Sequence, residues 1–412
     1  IKTRTSSTQG DGINLPTEIV RICPACGHAH ISSVAEDKCR NCGKDMTDCT
    51  LVDNLYKVEA VETRRMERIT VRDEERTRQG YDVQTCFGYN PTDKERTEVQ
   101  LKDENGTLMA TLTYGASATI WKINKGWKRR KDQATFGFII DNKTGYWSKQ
   151  DAPQDDGDGD AAGNDIPTSR RQRISPYVQD TRNILVFRPA HPLGEKTMAT
   201  LQAALHLGII RTFDVEASEV VVEPLPDRKN RNCFLIYEAS EGGAGVLHRL
   251  TDPESDGMRR VAQTALQVMH YELRDGVWTD TEEDRGDDRC EAACYRCLLS
   301  YTNQPDHELI NRRDDTVKSL LIRMCASHVE LTTKGIGSPA AENGLPRPDE
   351  TDFPIGGLTA LAFYREQRLA VVPPDTSDAD IAELEDSYLI TCIRAGATPG
   401  QTEELIRAHF NP

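Results

Sequence analysis

The chain has 412 residues, 37% of them hydrophobic and 28% charged, with a formal net charge of −15 at pH 7. That length suits two or three domains with real cores, and no apolar run approaches the roughly 20 residues needed to span a bilayer, so a membrane protein and a disulfide-stapled miniprotein are both excluded. The acidity argues against a general nucleic-acid binder only until it is mapped: residues 150–169 carry six Asp and no Lys or Arg, and residues 331–412 carry 13 acids against 6 bases, which leaves the rest close to neutral.

Residues 1–55 read as a zinc ribbon. Cys23-Pro-Ala-Cys26-Gly27 and Cys39-Arg-Asn-Cys42-Gly43 stand twelve residues apart. Each C-x-x-C-G is a tight turn that aims two thiolates at one ion, and its glycine permits the positive φ the turn needs. Cys23, Cys26, Cys39 and Cys42 therefore supply a closed structural four-cysteine site for a first Zn2+, with His28, His30 and Cys49 as bystanders. Seven of the twelve cysteines fall in two tight clusters, a pattern that predicts a reduced, cytoplasmic, metal-binding protein. A chain beginning at Ile1 reads as a segment of something longer.

Residues 56–150 read as a β-rich domain, from the alternation at residues 58–62 and the runs at 81–89, 108–123 and 136–140. Asn105-Gly106 marks a hairpin turn, and a short helix is expected at 73–79. Near the end lies a basic hairpin: Lys122, Lys125, Lys128, Arg129, Arg130 and Lys131 with no acid among them, interleaved with Trp121 and Trp127. Such a stretch can neutralise phosphates while its indoles stack on bases. It also suits a solvated hairpin whose tryptophans belong to the core. Residues 151–169 read as an acidic flexible linker able to mask this patch, followed by a second basic knot at Arg170, Arg171 and Arg173.

Residues 170–330 read as an α/β zinc-binding domain. Strands are expected at 184–187, 220–222 and 233–237, and amphipathic helices at 197–210, 258–273 and 316–329. A glycine loop with Gly242, Gly243 and Gly245 runs from strand to helix, where it can present amides to a phosphate or serve as a plain tight connection. Glu238, Glu241 and His248 beside it are too ordinary a set to read as catalytic. Cys290, Cys294 and Cys297 pack three thiols into eight residues, which calls for a second Zn2+. His307 is the first choice of fourth ligand; Cys325 and Cys233 read as core thiols, and an open three-ligand zinc stays an alternative. Residues 331–356 read as a linker and 357–412 as a helical acidic tail, with helices expected at 379–389 and 399–410. The fold class is thus multidomain α+β.

The run Tyr237-Glu-Ala-Ser-Glu-Gly-Gly-Ala-Gly-Val-Leu-His-Arg-Leu250, followed by Cys290-x3-Cys294-Tyr-Arg-Cys297-Leu-Leu-Ser-Tyr-Thr-Asn-Gln and His307, resembles the DUF1998, or MrfA zinc-binding, domain. Residues 68–85 resemble the segment that precedes it in large superfamily 2 DEAD/DEAH-box helicases, where the domain forms the C-terminal part; it also occurs in phage-defence proteins of the DISARM and Druantia kind. The resemblance covers roughly residues 20–330. It implies a non-catalytic, zinc-stabilised region of an ATP-dependent DNA helicase in antiviral defence or DNA repair. DNA and the helicase ATPase domains would be its partners, with other defence-complex subunits as further ones. Family members usually offer four cysteines to the metal, whereas three cluster here. The chain holds no Walker A lysine and no DEAD/DEAH box, so ATP and Mg2+ would act only through a core outside it. A zinc-stabilised scaffold subunit and, less favoured, a zinc-dependent hydrolase are the competing readings.

Overall fold

The computed structural model describes residues 2–3, 15–31, 37–58, 61–62, 80–89, 96–130, 132–148, 168–240, 243–283, 285, 289–332, 350–355, 358–364, 369–388, 390–396, 401–402 and 404–406. The helix expected at 73–79, the acidic linker through residue 167, Lys131, Gly242 and residues 333–349 lie outside them.

Two exceptionally long strands organise the first compact unit, Ile1–Thr332. In chain order its strands are β1 (Lys2–Thr3), β2 (Glu18–Ile22), β3 (Ala29–Ile31), β4 (Thr50–Lys57), β5 (Val61–Glu62), β6 (Tyr81–Gly88), β7 (Thr97–Lys102), β8 (Leu108–Trp127), β9 (Phe138–Asp141), β10 (Arg171–Pro189), β11 (Val220–Pro226), β12 (Arg231–Glu238), β13 (Tyr271–Arg274), β14 (Val277–Asp280) and β15 (His328–Leu331). Among the described residues, four α-helices are interspersed: α1 (Glu195–Phe213), α2 (Val246–Thr251), α3 (Gly257–Val268) and α4 (Asp315–Met324). The 20-residue β8 and 19-residue β10 pair antiparallel along most of their length. Each then takes different neighbours at its two ends. β8 pairs β7 through its first half and β6 through its second; β10 pairs β9 and β4 early and β12 late.

The sequence of β8 explains its length: β-branched and aromatic residues recur without a proline, and Gly115 leaves room for the Tyr89 ring, which an added Cβ would meet at 2.7 Å. A bulge between Arg182 and Ile184 of β10 turns Asn183 out of the ladder, where it receives the Ser117 amide. The Asn105-Gly106 turn forms as expected. Asp103 fastens it by accepting the Asn105 and Thr107 amides.

This one sheet corrects the expected division at residues 55 and 170. The ribbon's β4 pairs with β10 and carries β2 on its other edge, and β15, the last strand of this sheet, returns to β7. Alternate residues of the central strands face opposite cores. Leu185 and Phe187 of β10 and Phe234 and Ile236 of β12 pack with α1, α3 and α4. Ile184 and Val186, with Cys233, Leu235 and Tyr237, pack with the ribbon cysteines.

The expected helix at 258–273 stops at Val268. His270 has φ 65°, which turns the chain back into the β13–β14 hairpin. Its turn, Asp275-Gly276, has positive φ at both positions, the type I′ geometry that Asp-Gly favours. The expected helix at 316–329 likewise ends at Met324, and His328–Leu331 is strand.

The second unit, Thr333–Pro412, contains β16 (Glu350–Ile355), β17 (Leu358–Tyr364), β18 (Leu369–Val372), α5 (Asp378–Tyr388) and β19 (Thr391–Arg394). It is a four-stranded sheet with one longer helix, in place of the expected helical tail. The reason lies in Leu369–Val372, four consecutive apolar residues that are all buried between β17 and β19. Residues 401–402 and 404–406 are helical.

Candidate metal centres

Two sets of four donors come together. Sγ of Cys23, Cys26, Cys39 and Cys42 all lie within 4.8 Å of one another. The knuckles form as the spacing requires: Gly27 and Gly43 have φ of 73° and 68°, and their amides reach back to the Cys23 and Cys39 carbonyls at 2.9 and 2.8 Å. The Cys23–Cys42 and Cys26–Cys39 sulfur separations are both 3.7 Å. A tetrahedral Zn2+ with bonds of about 2.3 Å sets its sulfurs about 3.8 Å apart, so the residues fit the ion. Contact with Cys26 holds the Cys23 thiol down to about 7, and contact with Cys23 lowers Cys42 further. The same contacts push Cys26 and Cys39 up.

The bystanders are closer than the sequence suggested. His30 Nε2 lies 3.4 Å from Cys39 Sγ, and His28 Nδ1 lies 3.3 Å from His30 Nε2. Asn41 donates to Cys26 Sγ at 3.5 Å and accepts from Arg96 at 2.8 Å. These contacts brace the thiolates from outside the donor set.

The second set is His270, Cys290, Cys294 and Cys297, again within 4.8 Å. Cys290 and Cys297 sulfurs are 3.7 Å apart, and Cys294 Sγ is 3.5 Å from His270 Nε2. For a tetrahedral ion the sulfur–nitrogen separation is about 3.6 Å. The Cys297 sulfur also receives the Cys294 amide at 3.0 Å. Burial works to raise the Cys294 thiol, but His270, the Arg296 amide and the neighbouring thiols bring it down to about 6. Burial and Cys297 push Cys290 up to about 12.

Residues 201–298 match the family model of the MrfA Zn-binding domain, MZB. This stretch is similar to an MrfA Zn-binding domain. The match encloses the whole second donor set and excludes His307. A solved structure similar to this chain is that of the DUF1998 helicase MrfA bound to DNA, at 14% identity and a TM-score of 0.31, over 60% of this chain and 25% of that one. The chain therefore spans about a quarter of that helicase's length. No curated protein matches.

Among the described residues the fourth donor within reach is His270, twenty residues before the first cysteine of the cluster, and not His307. His307 Nε2 is engaged by the Ser300 carbonyl and Asn303 Oδ1, both at 3.0 Å, so it staples the loop that follows the cysteines. The two other candidate thiols stay in the core. Burial raises Cys233 to about 12 and Cys325 to about 11. Four protein donors around one ion would make this a site of the closed, structural kind.

The helix start that follows the glycine loop does not hold its amides open. Glu238, only 1% exposed, accepts the Val246 and Leu247 amides at the start of α2 at 2.7 and 3.3 Å, and Asn183 Nδ2 at 3.0 Å. The protein's own carboxylate thus occupies the place expected for a phosphate. Gly243 has φ 69°, and an added Cβ there would lie 1.8 Å from Glu238 Oε2. Gly245, also at positive φ, precedes the helix.

The basic stretch is not an exposed hairpin either. Trp121 through Trp127 form the end of β8. Trp127 packs on Tyr81 and Phe138, and Trp121 on the core beneath the ribbon. Lys122 pairs with Glu223 at 3.8 Å, and Lys125 and Arg130 both reach Asp82, at 3.5 and 3.0 Å. Lys128 and Arg129 remain exposed. Of the second knot, Arg170 pairs with Asp141 at 2.8 Å, and Arg173 donates to the Gly137 carbonyl. Arg171 opens β10 at an exposed position. Among the described residues, no helix is long and apolar enough to cross a membrane.

Proposed function

We propose that the chain is a non-catalytic, zinc-stabilised region or accessory subunit of an ATP-dependent superfamily 2 DNA helicase. The observation that carries this reading is the likeness of residues 201–298 to the MZB domain, with a complete four-donor set inside them. In this reading Zn2+ does no chemistry: it cross-links short, otherwise weakly held segments, and the binding energy becomes folding energy. Cys23, Cys26, Cys39 and Cys42 hold one ion; His270, Cys290, Cys294 and Cys297 hold the other. ATP and Mg2+ belong to ATPase domains outside these residues, and DNA is the partner that the assembled helicase moves along, in antiphage defence or repair in the cytoplasm. The contribution of this chain to DNA is electrostatic and centred on the exposed cations Lys128 and Arg129.

The test is the affinity of the zinc-loaded chain for single- and double-stranded DNA across a salt series, alone and with the ATPase domains. Binding that falls steeply with salt supports the reading. No binding at low salt in either setting overturns the DNA role and leaves the scaffold reading in its place.

A further inference from the structure

The second metal centre has a supporting shell that joins two of its donors. Glu282, 1% exposed, accepts the Cys290 amide at 2.8 Å, and its other oxygen, Oε1, lies 3.5 Å from His270 Nδ1, the ring nitrogen turned away from the thiols. Arg285 faces that same oxygen at 3.1 Å. On the other side, Arg312 is fully buried and donates to the Cys290 carbonyl at 2.8 Å, the Met269 carbonyl at 3.3 Å and Asp280 at 2.9 Å. His270 immediately precedes β13 and Glu282 follows β14 by one residue, Thr281. The Thr281 amide and hydroxyl both donate to the His270 carbonyl, at 2.8 and 3.0 Å. The base of the hairpin, the imidazole and the cysteine knuckle therefore meet at Glu282, through one hydrogen bond to Cys290 and one close contact to the ring.

We propose that Glu282 is the positioning residue of this centre: it selects Nε2 of His270 as the metal donor and, by linking His270 to Cys290, ties both ends of the β13–β14 hairpin to the ion. The physical argument is the one that applies to ligating histidines in general. A neutral imidazole offers one bare nitrogen, and a carboxylate at the other nitrogen fixes the proton there, orients the ring and raises the donor strength of the free nitrogen. Three thiolates on Zn2+ leave the centre with one net negative charge, and Glu282 adds another. Arg312 and Arg285 stand where they offset both. The proposal rests on the reading that the second set holds zinc.

The experiment is a zinc titration of the full chain against a chromophoric chelator, with Glu282→Gln, His270→Ala and the double variant. The wild-type chain is expected to take two equivalents. Glu282→Gln should weaken one of them by about 10–100-fold and leave the other unchanged. The double variant should bind no more weakly than His270→Ala alone, because a residue acting through His270 has nothing left to act on. Nitrogen NMR of the imidazole should show His270 protonated at Nδ1 in the wild type. Unchanged affinities in Glu282→Gln, losses that add in the double variant, or a metal-bound Nδ1 would each overturn the proposal. A wild-type chain that takes only one equivalent would instead overturn the zinc reading of the second set, a distinct result.

Discussion

Glu238 shows how much one side chain can decide. A carboxylate removed from water is costly unless charge-assisted donors meet it, and here two amides at a helix start and the Asn183 amide group do so. Replacing it with Ala leaves the two buried amides of Val246 and Leu247 without their acceptor. Glu238→Ala is expected to cost about 3 kcal/mol, read as a lowered midpoint in chemical denaturation, and Gly243→Ala about 2 kcal/mol or more, since it adds strain at positive φ and strikes the same carboxylate. The isosteric Glu238→Gln should cost about 1 kcal/mol. A Gln variant as damaging as Ala would show that charge, not acceptor geometry, dominates. At this scale the metal donors were legible where they are local. Two C-x-x-C-G knuckles and a C-x3-C-x2-C run fix seven thiols from spacing alone. His270 was not legible, because its approach to Cys294 depends on a left-handed turn and a hairpin between them; the Asp275-Gly276 dipeptide was the available signal. His307→Ala is accordingly expected to keep both zinc equivalents, measured by metal analysis after gel filtration. Loss of one would return His307 to the donor set.

At the scale of elements, the end of β8 corrects a count made along the chain. Six cations in ten positions suggest a phosphate-binding stripe, but a strand places its neighbours by register. Asp82, from β6, and Glu223, from β11, take up Lys125, Arg130 and Lys122. Those partners stand tens of residues away in sequence, so the pairing was not visible in the charge pattern. The β-character of the run was visible, because alternation and branched residues are local properties. Reversing Lys128 and Arg129 together to Glu should reduce the slope of log affinity against log salt by about 2 for duplex DNA, since each phosphate contact contributes about 0.9. A drop near the value for six contacts would mean that the ion pairs open on binding; no change would remove this strand from the interface.

At the scale of the molecule, the ribbon, the β-rich segment and the MZB-like stretch share one sheet, because β10 pairs with β4, β8 and β12. Boundaries near residues 55 and 170 followed from shifts in composition, which report the character of segments but not which strands pair. A fragment ending at residue 332 is expected to unfold cooperatively and bind two zinc ions, whereas residues 170–332 alone should aggregate or stay unfolded, having lost β8 as a partner of β10. Calorimetry and zinc content on the two fragments check this. A well-folded, zinc-loaded 170–332 fragment would restore the modular picture. Cys26→Ser should likewise lower the melting of the entire first unit, not of the ribbon alone, since Cys26 packs with Ile184 and Leu235.

The two-faced alternation of β10 and β12 also limits how such a chain can change by descent. Residues 184–187 and 233–237 are read in pairs, odd positions toward one metal centre's core and even positions toward the other in β12, with the parity reversed in β10. A substitution disturbs one wall at one point. A single-residue insertion or deletion would send every following side chain to the opposite wall, delivering Phe234 to the ribbon and Cys233 to the helices. Length variation in this lineage should therefore collect in loops such as 227–230 and be absent from these two strands, which keep their count of residues even where their identities drift.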